Sequence, residues 1–265
     1  MQIESMYDAL AGNYLSPGRN STTTFFRNIQ RSEIACFIRK ACEKANRYYG
    51  DSKLLIVGAG PQGNFEEYSN LHRLVGPLLD EIDTRNVTHL DASASMLSVC
   101  QEYVSSQLSG LRLGTFVKGT AEQLTCAIEP SSQDVIVGAL CDHFTQDDFF
   151  REAWCALKPG GALITTFPAD GINRVIREQL YGIDSGYTRF MLNGNPVLVP
   201  SQLMTSVNLL ELYKAQSFVD VQTKSVRAGN FVPSQTILTA TEHLTDPLED
   251  VPILIAGVGF KPLHQ

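Results

Sequence analysis

The chain has no apolar run of roughly eighteen residues, so nothing in it reads as a membrane-spanning helix. It has no CxxC pair. Its six cysteines (Cys36, Cys42, Cys100, Cys126, Cys141 and Cys155) are scattered through apolar segments. Metal ligation needs clustering and a disulfide framework needs a small secreted chain, so the thiols are expected to be reduced and mostly buried, with no metal site. A long basic run is also missing. Twenty-one Lys and Arg against 28 Asp and Glu leave a net charge of −7, a field that repels a phosphate backbone and argues against nucleic acid as a partner. The first residues carry Glu4, Asp8, Arg19 and Arg27 and no apolar signal core. That predicts a cytoplasmic protein and makes the sequons at Asn20 and Asn86 chance matches.

What is present is enough for one large core. A folded chain of 265 residues exposes roughly a quarter of the surface of its unfolded form. From about residue 50 to 167, apolar runs of strand length alternate with helix-like segments. Strands are predicted at Lys53–Val57, Asn86–Leu90, Leu113–Val117, Asp134–Val137 and Ala162–Phe167, with helices at Asn64–Asp80, Ala92–Leu108 and Asp147–Leu157. The near-continuous Val, Ile and Leu content of the strands suits an α/β fold with helices on both faces of a mostly parallel sheet. This core, 51–167, follows an N-terminal part, 1–50, read as a flexible arm and a helix over Ser21–Tyr48. Residues 168–200, rich in Gly, Asn, Tyr and Pro, read as a cap with a short helix near Ile172–Tyr181. Residues 201–265 complete the sheet: Ser201 reads as the cap of a helix Gln202–Ala215, and strands follow at Val219–Val226 and Thr236–Glu242.

Four segments carry candidate chemistry. Leu54–Val57 runs into Gly58-Ala59-Gly60-Pro61-Gln62-Gly63, where glycines let the backbone approach a ligand. The spacing also satisfies GxGxxG, but Asp91 lies 28 residues past Gly63, where a dinucleotide fingerprint wants about 20. Pro61 also removes a donor at the helix start. Asp91 itself ends the second strand, where a carboxylate can accept both ribose hydroxyls or cap the helix after Ala92. Val117-Lys118-Gly119-Thr120-Ala121-Glu122 follows the third strand. Val135–Val137 leads into Gly138-Ala139-Leu140-Cys141-Asp142-His143, and Leu157-Lys158-Pro159-Gly160-Gly161 turns a helix into the fifth strand.

With these segments in this order, the chain resembles the class I S-adenosylmethionine-dependent methyltransferases, over about 190 residues. The resemblance implies a Rossmann-like fold with a seven-stranded, mostly parallel sheet whose last strand is antiparallel, an N-terminal helical lid and a cap after the fifth strand. It implies S-adenosylmethionine as cofactor, and the cap 168–200 suits a small organic acceptor better than a protein or tRNA. Gly58, Ala59 and Gly60 would line its amino acid and ribose part, Asp91 would hold the ribose, and Ala92 and Met96 would pack on the adenine. Thr120, Ala121 and Glu122 would border the adenine edge, with Ala139 and Leu140 beneath the sulfonium. Tyr7-Asp8-Ala9-Leu10-Ala11 resembles a lid segment of this family, Tyr14 being the second choice for its tyrosine.

His143 is the candidate base for an acceptor hydroxyl or amine, and a lone histidine is also commonly just hydrogen-bonded. Asp142 could orient His143, cap the next helix or sit in solvent. Tyr181 and Tyr187 could face the sulfonium, as aromatic rings attract cations, or pack the lid. Two departures from the family pattern stand out: Ile56 where an acidic residue is usual, and Thr120 where Asp is frequent. They keep open a second reaction, in which the amine of S-adenosylmethionine closes on its own γ-carbon and methylthioadenosine leaves, as in azetidine-2-carboxylate synthases. A noncatalytic S-adenosylmethionine sensor is a third reading.

Overall fold

A computed structural model of the protein describes residues 3–11, 34–41, 43–44, 52–60, 84–107, 114–192, 194–227 and 250–263. The predicted helix Asn64–Asp80, the strand Thr236–Glu242, Tyr14 and Cys42 lie outside them. Nine strands are described: β1 Leu54–Val57, β2 Val87–Asp91, β3 Thr115–Lys118, β4 Gln133–Gly138, β5 Leu157–Pro168, β6 Tyr187–Leu192, β7 Asn195–Pro200, β8 Val219–Arg227 and β9 Pro252–Phe260. The helices among the described residues are α1 Ile3–Leu10, α2 over 34–41, α3 Ala94–Gln107, α4 Gln146–Ala156, α5 Asp170–Val175 and α6 Ser206–Ala215.

Seven strands form one sheet in the order β3-β2-β1-β4-β5-β9-β8. The first five are mutually parallel, and β9 alone runs antiparallel to its neighbours β5 and β8. This is the sheet that the resemblance implies. Successive residues point to opposite faces, and both faces are dry. Leu54, Ile56, Val135, Val137 and Ile164 pack against Ile34, Phe37, Ile38 and Ala41 of α2. Leu55, Val57, Ile136 and Leu163 pack against Phe149, Phe150 and Ala153 of α4 and Leu209 and Tyr213 of α6. The absence of polar alternation in the strands has this cause.

Several sequence expectations need correction. The last strand of the sheet is Pro252–Phe260, a run whose proline and two glycines weaken its strand signal. Those glycines make room for an aromatic ring: a Cβ at Gly259 would lie 2.5 Å from Tyr213 Cδ1, and one at Gly257 2.9 Å from Tyr213 Cε2. Ser201 does not start a helix. That role belongs to Thr205, whose hydroxyl accepts the Asn208 N–H at 3.1 Å. Tyr7 lies in a helix, α1, rather than in a flexible arm. The cap holds an antiparallel hairpin, β6–β7, in addition to the short helix. Of the five described cysteines, Cys36, Cys126 and Cys155 are exposed and Cys100 and Cys141 are buried, so these thiols are not mostly interior.

Candidate active site at the strand ends

The sheet order reverses between β1 and β4, the place where an open α/β sheet leaves a crevice beyond its C-terminal strand ends. The glycine turn after β1 stays attached to β2. Ala59 N–H donates to Leu90 O at 3.0 Å, and Gly60 N–H donates to Asp91 Oδ2 at 2.8 Å. Gly58 and Gly60 have φ of 65° and 61°, left-handed values that a side chain resists. At Gly58 a Cβ would also stand 2.9 Å from Phe144 Cζ, so the bare backbone there serves packing as well as access.

Asp91 is half-buried, and each of its oxygens holds one backbone N–H: Gly60 on Oδ2 and Ser93 on Oδ1, the latter at 2.9 Å. With the Ala92 N–H also close by, the remaining lone pairs of the carboxylate can still receive a vicinal diol. Burial raises this carboxyl above its ordinary range, against the pull of the Ser93 and Gly60 N–H groups. Asp91 does not cap α3. Ser93 does, its hydroxyl accepting the Met96 N–H at 3.0 Å.

That hydroxyl donates in turn to Asp8 Oδ1 at 2.6 Å, and Ser95 N–H donates to the same oxygen at 3.1 Å. The Ser93 bond, followed by that from Ser95, holds the Asp8 carboxyl below its usual range. With the Lys118–Glu4 ion pair at 2.6 Å, these contacts dock α1 over the ends of β2 and β3. Met6, Leu10 and Ala11 bury themselves there with Met96 and Val199, flanked by Tyr7, Phe190 and Leu192. Met96 is thus packed beneath α1, with Ala92 half-buried one turn earlier. Asp8 was not anticipated as functional. Its place directly after Tyr7 in the lid-like segment was the available signal.

Beyond β3, Thr120 and buried Ala121 open a short 3-10 turn, and Glu122 Oε1 accepts the Thr145 N–H at 2.9 Å. Beyond β4 follow Ala139, which is buried, and Leu140, which has φ 56° and ψ 64°. Left-handed leucine is strained; its N–H is held by Thr166 Oγ1 at 2.9 Å.

His143 comes next. Its Nδ1 lies 2.7 Å from Pro200 O, and a carbonyl only accepts, so Nδ1 carries a hydrogen and Nε2 holds the lone pair of the neutral ring. Nε2 is 3.5 Å from Asp142 Oδ2. The His143 ring sits 5.9 Å from that of Tyr7 and 6.0 Å from that of Phe190, and Tyr7 and Phe190 are 6.1 Å apart. Strand end, N-terminal helix and hairpin thus meet in one aromatic triangle. Phe190 was missed, because the hairpin itself was not legible in a stretch full of turn-forming residues.

Of the three readings of Asp142, solvent exposure and helix capping are both excluded: it is buried, and its partners are Ser201 and Arg177. The two tyrosines proposed for a sulfonium do not join the triangle. Positions along β6 alternate between exposed and half-buried, and Tyr187, 41% exposed, stands on the face opposite Phe190. Tyr181 packs, as Leu140 does, against the cluster of Ile172, Ile176 and Leu254, with the Arg189 guanidinium 5.6 Å from its ring centre.

Residues 58–165 match the family model described as a methyltransferase domain. No curated protein matches the sequence significantly. Among solved structures, the YcgJ protein of Bacillus subtilis superposes with a TM-score of 0.54 at 16% identity, covering 87% of this chain and 98% of that one. The carbon methyltransferase CurJ gives 0.57 at 17% identity, with 88% of this chain matched to 54% of that one. Phosphoethanolamine N-methyltransferase 2 of Haemonchus contortus, in complex with S-adenosyl-L-methionine, gives 0.52 at 16% identity, over 94% and 59% of the two chains. The matched segment begins at the glycine turn and ends inside β5, which is the half of the sheet that frames the crevice. Residues 58–165 are thus similar to a methyltransferase domain, which points to S-adenosylmethionine as the cofactor, and the chain shares the fold of these neighbours.

Proposed function

We propose that the protein transfers the methyl group of S-adenosylmethionine to a small organic acceptor, with His143 as the base. The observation that best supports a small acceptor is the enclosure of the strand ends: Tyr7 of α1 and Phe190 of the hairpin close on His143, with centroids no more than 6.1 Å apart. A macromolecular acceptor needs an open approach to that spot. The bound cofactor supplies a methyl carbon on a cationic sulfur. The protein's part is positioning, which is worth ~7–11 kcal/mol when reacting groups are held near contact.

In this reading Asp91 accepts the ribose hydroxyls and the 58–60 backbone lies along the amino acid end. Ala92, Met96, Thr120, Ala121 and Glu122 border the adenine, and Ala139 and Leu140 lie below the sulfur. Tyr7 covers the site, the Pro200 carbonyl orients His143 through Nδ1, and Nε2 receives the acceptor's proton beside Asp142, whose carboxylate steadies the imidazolium so formed. Asp91→Ala removes a charged acceptor of hydrogen bonds, so affinity for S-adenosylmethionine should fall by roughly 2 kcal/mol, about thirtyfold. Calorimetry that finds unaltered affinity would remove Asp91 from the site.

The reaction is tested by product analysis. Purified protein with S-adenosylmethionine and a panel of small amines, phenols and carbon acids should yield S-adenosylhomocysteine only when an acceptor is present. Methylthioadenosine and a new amino acid formed without any acceptor would overturn methyl transfer in favour of ring closure. One support for ring closure is already accounted for otherwise: Ile56 is fully buried in the core against α2, where its apolar side chain is required by packing.

A further inference from the structure

Behind His143 lies a buried polar corner that the sequence did not reveal. Arg177 is 6% exposed, Asp142 7% and Ser201 3%. Arg177 sits in the π turn Ile176–Leu180 that continues α5, a widened turn of a kind often found at functional sites. Its Nη1 donates to Ser185 O at 2.7 Å and to Ser201 O at 2.9 Å, so one nitrogen grips the chain just before β6 and just after β7. Its Nη2 donates to Ser201 Oγ at 2.7 Å. That hydroxyl has one proton of its own, which it donates to Asp142 Oδ2. The same Asp142 oxygen lies 3.9 Å from Arg177 Nη2 and 3.5 Å from His143 Nε2. Gln202 N–H closes the corner on Asp142 O at 2.8 Å.

We propose that Arg177 is a positioning residue that acts through Ser201 and Asp142: its charge occupies the Asp142 carboxylate and its fork fixes the hairpin base, leaving His143 Nε2 unprotonated and aimed by the Pro200 carbonyl. This rests on the assignment of His143 as base. The charged and titratable groups against His143 are few. Among the described residues, Asp142 adjoins it on the same turn and Tyr7 faces it from α1, while Phe190 of β6 is neutral and Arg177 reaches it only through Asp142. Without the guanidinium, the Asp142 carboxylate is left in a buried site with a nearby imidazole as its remaining basic neighbour. Nε2 then holds a proton more tightly, and the ring serves less well as a base.

The test reads His143 directly and needs no acceptor. In protein labelled with 15N-histidine, the His143 resonances, assigned by their loss in His143→Gln, should show hydrogen on Nδ1 and none on Nε2 at pH 8. In Arg177→Met the pH at which His143 is half protonated should rise by about one unit, while Arg177→Lys, which keeps the charge, should restore most of it. Ser201→Ala, which removes the bridging hydroxyl but no charge, gives an intermediate shift and serves if Arg177→Met does not fold. A half-protonation pH in Arg177→Met, or in Ser201→Ala as its replacement, that is unmoved or lowered would overturn the proposal, as would a wild-type ring protonated on Nε2 alone. Failure of the base assignment is separable: His143→Gln would then turn over normally while the resonance shift in Arg177→Met persisted.

Discussion

Replacing His143 with glutamine is expected to lower the rate of methyl transfer by about a hundredfold or more, with the affinity for S-adenosylmethionine unchanged. Glutamine is chosen because its amide N–H can still donate to Pro200 O, the partner that His143 Nδ1 engages at 2.7 Å. The substitution therefore keeps the loop anchored and removes only the basic nitrogen. General-base catalysis contributes ~10²–10⁴-fold, and the lower end applies if the acceptor is partly ionised in solution. Single-turnover rates with saturating cofactor measure the loss, and calorimetry of cofactor binding provides the control. Equal rates in the two proteins would return His143 to a purely structural part, pinning the end of β7.

Mild acid should destabilise the protein through His89, which no part of the proposed mechanism uses. His89 is 1% exposed in the middle of the sheet, between Ile56 of β1 and Phe116 of β3, with its ring stacked on that of Phe116 at 4.8 Å. Its Nδ1 has no hydrogen-bond partner among the described residues. Burial lowers its pKa from 6.5 to about 4. The sign follows from that direction: below pH 6.5 the unfolded chain takes up a proton that the native protein refuses. Stability is fully present above 6.5 and declines as pH falls toward 4, by ~1.4 kcal/mol per unit and on the order of 3 kcal/mol in all. Asp91 works the other way, since its raised carboxyl gains a proton in the native state first. The comparison with His89→Leu isolates the histidine. Unfolding free energies from urea titrations at pH 7.5 and 5 should differ by about 2 kcal/mol more in the wild type than in the variant. Parallel pH profiles for the two proteins would show that another group accounts for acid sensitivity.

The core was legible in the sequence wherever local signals and tertiary demands coincided. The apolar runs Leu54–Val57 of β1 and Val135–Val137 of β4 are continuous because helices cover both faces, and Asp91 lies beside the glycine turn, as expected, because that turn and β2 are neighbours in the sheet. What escaped was decided at long range. Pro252–Phe260 looks poor as a strand until Tyr213, on α6, is seen to need the space over Gly257 and Gly259. Strand alternation sets Tyr187 on the face of β6 opposite Phe190, and Tyr181 lies with Leu140 on the Ile172–Leu254 cluster, placements that ring chemistry alone does not reveal. Arg177 carries no motif. Its importance arises from Asp142 and Ser201, 35 residues before it and 24 after it in the chain, meeting at one guanidinium.

The position of β9 bears on how the molecule is made. Among the described strands it is the last to leave the ribosome, yet it sits between β5 and β8 rather than at an edge. Until residues 252–260 emerge, β5 offers a long, apolar, unpaired border and β8 has no neighbour to join. A nascent chain in that condition is a template for sticking to its own kind. Premature termination just upstream of Pro252 should therefore leave a chaperone-bound or precipitated product rather than a smaller working enzyme.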